Sequence, residues 1–186
     1  MSHLREDIRR YFNSPPGRWE WWKTVLLTQG IWALVVFRAG SWCSVRGQTR
    51  FWPRAFLPFL TVAQKLIEIT TGISIQFTTR IGRGLYIGHF GGIIIGPNVV
   101  MGEFCNISQG VTIGQGGRGG VQLSPAIGDR VYVGPGAKLF GGITIGSGVA
   151  IGANAVVTKD LPDNAVAVGN PARVISLKGS GDFIVQ

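Results

Sequence analysis

The sequence predicts a mainly β fold: a parallel β-helix wound from six-residue units, preceded by an α-helical segment. Three observations carry that expectation. Aliphatic residues recur at every sixth position over much of the chain. Glycine follows most of them. The first seventy residues lack the repeat and hold all six tryptophans.

The repeat runs through Ile75, Ile81 and Ile87, then Ile95, Met101, Ile107 and Ile113, then Ile127, Val133, Leu139, Ile145, Ile151 and Val157. A helix would show a period of 3.6 and a simple strand a period of 2. Six fits a short strand followed by a tight corner, so three units close a triangular coil of eighteen residues. The aliphatic residue points into the prism. Small or branched residues four positions on, among them Val99, Cys105, Val111, Val131 and Ala137, share that interior. Glycine after the aliphatic is expected to relieve crowding at the corner and to allow unusual backbone angles. Neighbouring coils then satisfy each other's backbone groups at strand spacing, about 4.8 Å.

The register slips twice. Ile87 and Ile95 are eight apart, which inserts two residues within His89–Gly92. Ile113 and Ile127 are fourteen apart, which extrudes a glycine-rich loop, Gly114–Ala126. Insertions in a solenoid cluster on its binding face, so chemistry is expected there.

Three segments follow: 1–72, a helical, Trp-rich, basic region; 73–163, the β-helix with its loop at 114–126; and 164–186, a closing strand and tail. Within the first, Lys23–Phe37 and Ala55–Ile69 read as helices, with Pro53 and Pro58 bounding or kinking the second. This region suits a cap that packs on the open end of the coil and drives oligomerisation. It also suits a membrane-surface contact, with Trp19, Trp21, Trp22, Trp32, Trp42 and Trp52 beside Arg38, Arg46, Arg50 and Arg54. The two are compatible.

Composition narrows the function. Only 15% of residues are charged and 45% are hydrophobic, which argues against disorder. The net charge is +9, with ten Lys/Arg against four Asp/Glu in residues 1–72. A basic balance suits a phosphorylated cofactor or acidic lipid. No nucleic-acid-binding pattern accompanies it, so nucleic acid is not an expected partner. Cys43 and Cys105 do not suggest a disulfide framework. Met1–Tyr11 is charged, and Val25–Phe37 is too short to span a bilayer. A cytoplasmic location is expected, with peripheral contact on the inner face of the membrane.

Of two histidines, His3 lies near a terminus expected to be mobile. His89 lies at the first slip, in Gly88-His89-Phe90-Gly91-Gly92, where glycines leave room for a ligand. Histidine is the commonest general base, and His89 is the catalytic candidate. Counting from Ile87 and Ile107 sets Gln109 beside it, able to orient the imidazole or hold an acceptor. Gly114-Gln115-Gly116-Gly117-Arg118-Gly119 matches a dinucleotide-binding pattern, but no βαβ unit follows. It reads better as a flap over a ligand. Cys105 falls on an inward position and is not a nucleophile candidate.

Residues 73–175 resemble the serine acetyltransferase branch of the hexapeptide-repeat acyltransferases. The resemblance rests on Ile81-Gly82-Arg83-Gly84 leading to Gly88-His89, on Gln109-Gly110-Val111-Thr112-Ile113-Gly114, and on Val168-Gly169-Asn170-Pro171-Ala172-Arg173-Val174. It implies left-handed coiling, acetyl-CoA as co-substrate, no metal, and a homotrimer with each site between two prisms. It implies that pantetheine runs along the edge holding Pro135 and Ala153. Gly134, Lys159 and Arg173 are further cofactor-binding candidates, as is Gly117 in the flap.

The departures point to a different acceptor. The family's Asp before the histidine is Gly88 here. Its orienting carboxylate falls on Ser74, and its serine-holding Arg-His pair falls on Leu123-Ser124. With Gln109, Ser74 and Ser124 are the acceptor-site candidates. The tail ends in Val185-Gln186, without the terminal Ile that docks into cysteine synthase. The layout resembles the colanic acid O-acetyltransferases more closely. The expected function is therefore acetyl transfer to a hydroxyl of a saccharide, an exopolysaccharide precursor on a lipid carrier. Serine O-acetylation in cysteine biosynthesis is the alternative. A γ-type carbonic anhydrase needs three zinc histidines and is excluded. A threonine-array scaffold is excluded because Thr112, Thr144 and Thr158 form no such array.

Overall fold

The six-residue spacing folds into short parallel strands on three faces of a prism. The computed structural model describes residues 2–46, 55–117 and 122–184. The first face holds β1 (Ile73–Ile75), β4 (Ile93–Ile95), β7 (Thr112–Gly114), β10 (Lys138–Phe140) and β13 (Val156–Val157), in that order. The second holds β2 (Arg80–Ile81), β5 (Val100–Met101), β8 (Ala126–Ile127) and β11 (Thr144–Ile145). The third holds β3 (Tyr86–Ile87), β6 (Asn106–Ile107), β9 (Tyr132–Val133), β12 (Ala150–Ile151) and β14 (Val166–Val168). The last strand, β15 (Arg173–Ser176), pairs antiparallel with β14.

Stacking follows the repeat. Ile75 lies over Ile95 and Ile95 over Ile113; Ile87 lies over Ile107 and Ile107 over Val133. None of the thirteen periodic aliphatics is more than 7% exposed. Burying one such side chain is worth about 1.5–3 kcal/mol. The second inward set, Val99 through Ala155, is equally buried.

Corner glycines do one of the two tasks expected of them. A Cβ on Gly102 would stand 2.1 Å from Asp129 Oδ1 and 2.7 Å from the Gly128 carbonyl carbon, so close approach of coils excludes a side chain. The left-handed backbone, however, falls two residues later, at Gly84, Phe104, Arg130 and Gly148. Glycine after the aliphatic serves packing, not φ.

Among the described residues the N-terminal region holds four helices: α1 (Ser2–Arg9), α2 (Arg18–Leu27), α3 (Gln29–Arg46) and α4 (Leu57–Thr71). The expected helix Lys23–Phe37 is instead two, bent by 81° at Thr28, whose backbone is extended. Neither half is long and apolar enough to cross a membrane, nor is any other described helix. Pro58 sits in the first turn of α4, where its missing N–H costs nothing, and does not kink it. The helix ends at Gly72, with φ 67° and its N–H bonded to Glu68 O. His3, expected on a mobile terminus, lies exposed on α1. Trp52, Pro53, Arg50 and Arg54 lie outside the described residues, as does the side chain of Arg46.

Polar side chains close the open end of the prism. Asp7, fully buried, accepts hydrogen bonds from Arg38 Nε (2.7 Å), Arg38 Nη2 (3.0 Å) and the Leu85 N–H (2.9 Å). Arg38 also donates to the carbonyls of Ile81 and Gly82, and Gln64 donates to that of Ile75. These groups stand in for the coil that would otherwise precede the first one. At the other end, the tail after β15 turns back along the corner between the second and third faces. Gly179 N–H donates to Asn164 O, Ser180 N–H to Gly148 O, and Phe183 stacks on Tyr132. Buried Asn106 joins both ends: its Oδ1 accepts from Arg10 (2.7 Å) and its Nδ2 donates to Phe183 O (3.2 Å).

Candidate active site

The corner between the third and first faces carries His89. Here the coils stack through backbone bonds: Asn154 N–H to Pro135 O, Gly136 N–H to Gln109 O, and Gly110 N–H to Gly91 O, each 2.8–2.9 Å. Gly91, not His89, is therefore the counterpart of Gln109, which corrects the neighbour expected from counting. The two extra residues enter before Gly91, so His89 and Phe90 are pushed outward and both are exposed. Glycines allow the bulge: Gly91 and Gly92 have φ of 102° and 64°, and around Gly91 there is open space. The His89 imidazole makes no hydrogen bond to a described residue.

Along the same corner lie Gln109, Gly134, Pro135 and Ala153, the small residues leaving a shallow edge suited to a thin, flexible ligand. Lys138 reaches in from the first face and donates to the Gly110 carbonyl. Arg173 opens β15 and is exposed, just beyond the turn where Ala172 N–H bonds Val156 O.

The other candidates sit elsewhere. Ser74 lies on β1 in the first face, paired with Ile94. Its hydroxyl donates to Glu68 Oε1 (2.7 Å). Burial alone would raise the Glu68 pKa, but hydrogen bonds from Lys65, Ser74 and Gln64 and the Lys65 charge outweigh it and hold the carboxylate below its ordinary value. Lys159, Gly117 and Ser124 lie at the opposite edge of the first face, where the 114–126 loop leaves the coil. Gly116 and Leu123 exchange two backbone hydrogen bonds of 3.0 Å across the base of that loop, and Ser124 donates to Pro97 O (2.8 Å). Arg118–Val121 lie outside the described residues. Within one chain, then, the first face separates His89 from the loop.

A cavity of about 620 Å³ lies at neither place. It sits under the tail, lined by Arg130, Asn164, Lys178 and Ser180 among others. Among the described residues no three metal-ligating side chains gather. Cys105 is 1% exposed, and burial pushes its thiol up to about 12, so it is no nucleophile.

Residues that grip the strand before His89 escaped the sequence reading. Asp7 and Arg10 hold Leu85 and Gly84, and Tyr11 holds Ile87. Their only signal was the charge of Met1–Tyr11, which argued against a leader peptide but named no contact.

The pattern of the bacterial hexapeptide transferases (six repeats) matches residues 124–159. The serine acetyltransferase of Helicobacter pylori strain 26695 is 36% identical over 176 residues, covering 95% of this chain and 98% of that protein. The chain belongs to the serine acetyltransferase family. The Synechococcus elongatus serine acetyltransferase is likewise 36% identical, over 69% of its length. Among solved structures, the Brucella abortus serine acetyltransferase in complex with coenzyme A has a TM-score of 0.80 at 29% identity, covering 94% of this chain and 67% of that one. The Neisseria gonorrhoeae serine acetyltransferase in complex with serine has a TM-score of 0.78 at 28% identity, over 94% and 68%.

Membership makes this chain an acetyl-CoA-dependent acyltransferase, as its sequence implied. It overturns the saccharide acceptor. The match to serine acetyltransferases runs almost end to end, helical region included, against the layout that had suggested a colanic acid enzyme. The Helicobacter protein is of nearly the same length, so this layout occurs among serine acetyltransferases too.

Proposed function

We propose that the enzyme transfers the acetyl group of acetyl-CoA to the hydroxyl of L-serine, with His89 as general base. The observation that carries this is the extruded, exposed imidazole at the end of a corner of small residues, in a chain alignable with the Helicobacter serine acetyltransferase over 98% of its length. His89 takes the hydroxyl proton as the serine oxygen attacks the thioester carbonyl. The tetrahedral intermediate collapses, the carbon–sulfur bond breaks, and the coenzyme A thiolate recovers the proton from the imidazolium. Gly134, Pro135 and Ala153 line the pantetheine, with Lys159 and Arg173 toward its phosphates and Gly117 in the covering flap.

Serine needs partners for its charged ends. Ser74 backed by ionised Glu68 offers negative charge where the family resemblance led one to expect a carboxylate. Glu68→Gln is expected to raise the KM for L-serine about tenfold and leave that for acetyl-CoA alone, an effect of one charge-assisted hydrogen bond.

The working unit is a homotrimer. His89 and the 114–126 loop occupy opposite edges of one face, so a complete site forms when the loop of one prism meets the histidine of the next.

The enzyme works in the cytoplasm and touches the inner face of the membrane. Trp19, Trp22, Leu26 and Leu27 on α2 and Phe59, Val62, Leu66 and Ile69 on α4 are exposed at helical spacing. Residues 18–71 carry seven Lys/Arg against two Asp/Glu, which suits an anionic surface. Flotation with phosphatidylglycerol vesicles is expected at low salt and to weaken at high salt; no flotation at either would remove this contact.

The central test follows thiol release from acetyl-CoA by the purified protein. Release dependent on L-serine is expected, and His89→Ala should lower turnover by about 10²–10⁴-fold with unchanged circular dichroism. No serine-dependent release would overturn the reading.

A further inference from the structure

The open edge of the first coil ends at the residue two before His89. In a parallel ladder, alternate residues turn their N–H and C=O toward opposite neighbours. Tyr86 N–H donates forward, to Cys105 O at 2.9 Å. Ile87 turns its N–H and C=O backward, where no coil exists. One side chain answers both. The Tyr11 hydroxyl donates to Ile87 O at 2.9 Å and accepts from Ile87 N–H at 3.1 Å.

The surroundings hold that hydroxyl in place. The Tyr11 ring lies 4.7 Å from that of Tyr86. Gly30 of α3 comes so near that a Cβ there would stand 2.4 Å from Ile87 O and 2.9 Å from the Tyr11 hydroxyl. Just upstream, Asp7 accepts from Leu85 N–H and Arg10 donates to Gly84 O at 2.6 Å. The segment leading into His89 is thus gripped at residues 84, 85 and 87 by the N-terminal arm. Beyond it the backbone bulges outward at His89 and Phe90 before Gly91 rejoins the stack, and the imidazole has no hydrogen-bond partner among the described residues.

We infer that Tyr11 is a positioning residue for His89, fixing through the Ile87 peptide the frame from which the imidazole projects. The inference rests on His89 as the base. The N-terminal arm then supplies, through backbone, part of the orientation that a carboxylate behind the imidazole would supply directly. Burial pushes the Tyr11 phenol well above its ordinary pKa, so it stays protonated and can donate and accept at once. A general base must meet its proton at hydrogen-bond distance, and small displacements are costly: about 10²-fold per ångström in unfavourable cases.

The test is Tyr11→Phe, which removes one oxygen and keeps the ring on Tyr86. The chain has two histidines, so its imidazole Cε1–H NMR spectrum has two signals, and His89→Ala identifies which is which. In Tyr11→Phe the expected result is a kcat lowered about tenfold or more, an unchanged KM for acetyl-CoA, and a His89 signal that shifts or broadens while that of His3 stays put. Ser180→Ala serves as the stability control, since it removes a buried hydrogen bond to Arg130 O at another corner. It should lower Tm without touching kcat or the His89 signal. If Tyr11→Phe behaves like the control, losing Tm alone, the hydroxyl merely caps the coil and the inference falls. If His89→Ala keeps its turnover, the base assignment fails instead. The His89 signal in Tyr11→Phe then still decides whether Tyr11 positions that residue.

Discussion

Cys105 shows how tightly the prism interior constrains single side chains. Its sulfur lies 3.4 Å from Gly128 O, and desolvation raises its thiol to about 12, against about 9 for a free one. Above the unfolded value, the unfolded chain gives up the thiol proton while the folded chain keeps it. Stability therefore falls with rising pH, through the interval from about 9 to about 12. Cys105→Ala should flatten that alkaline loss in urea titrations at pH 8 and pH 10, at the cost of a small cavity. An unchanged slope would mean that the thiol is not held neutral. The inward position of Cys105 was legible in the repeat, because every period-six residue has its side fixed by the stack. The bulge at His89 was legible only as a two-residue excess. Counting from Ile87 and from Ile95 leaves open which residues are extra, and the Gly110–Gly91 hydrogen bond alone settles that His89 and Phe90 are outside the stack. For that reason counting paired Gln109 with His89, where the ladder pairs it with Gly91.

Corners and caps are where the elements are decided. Gly102→Ala should destabilise the protein by about 1–3 kcal/mol, because its Cβ would meet backbone atoms of the next coil and rigid neighbours must shift. Gly17→Ala and Gly181→Ala, with nothing within 4 Å, should stay within about 0.5 kcal/mol in the same denaturation series. Asn106→Ala should cost about 1–3 kcal/mol, since it strips hydrogen bonds from buried Arg10 and from Phe183 O. It should also raise amide exchange across residues 178–184; an undisturbed tail would show that Asn106 does not hold it. The strands were readable from sequence because their pattern is hydrophobic and strictly periodic. The helical region was harder for a physical reason. Helix α1 and the turn that follows it dock through Asp7, Arg10 and Tyr11, and an apolar-periodicity reading is blind to an element held by buried polar groups. The break at Thr28 was hidden likewise, inside a run apolar enough to read as one helix, where Gly30 must bring the backbone against Ile87.

At the scale of the whole molecule, a solenoid is a stack whose ends must be closed and whose sides are free to associate. The helices close one end, and β15 with the returning tail closes the other and occupies one corner. The first face remains, flanked by His89 on one edge and the 114–126 loop on the other, with Ile94 exposed between them. A ring closed by head-to-tail contacts would join one edge of each prism to the opposite edge of the next. That arrangement makes a sharp prediction for mixed assemblies. His89→Ala loses the base but keeps the loop; a chain with residues 115–123 replaced by a short Gly-Ser link loses the loop but keeps the base. Each alone should be inactive. Unfolded together in equal amounts and refolded, they assort at random, and an intact site arises wherever the histidine of a loop-deleted chain meets the loop of a His89→Ala chain. That occurs at about one interface in four, so activity should return to about a quarter of the wild-type level per site. Mixing the folded variants without dissociation should restore nothing. If the refolded mixture stays inactive while sedimentation shows trimers, histidine and loop do not share a site across the interface, and the site would have to be complete within one chain.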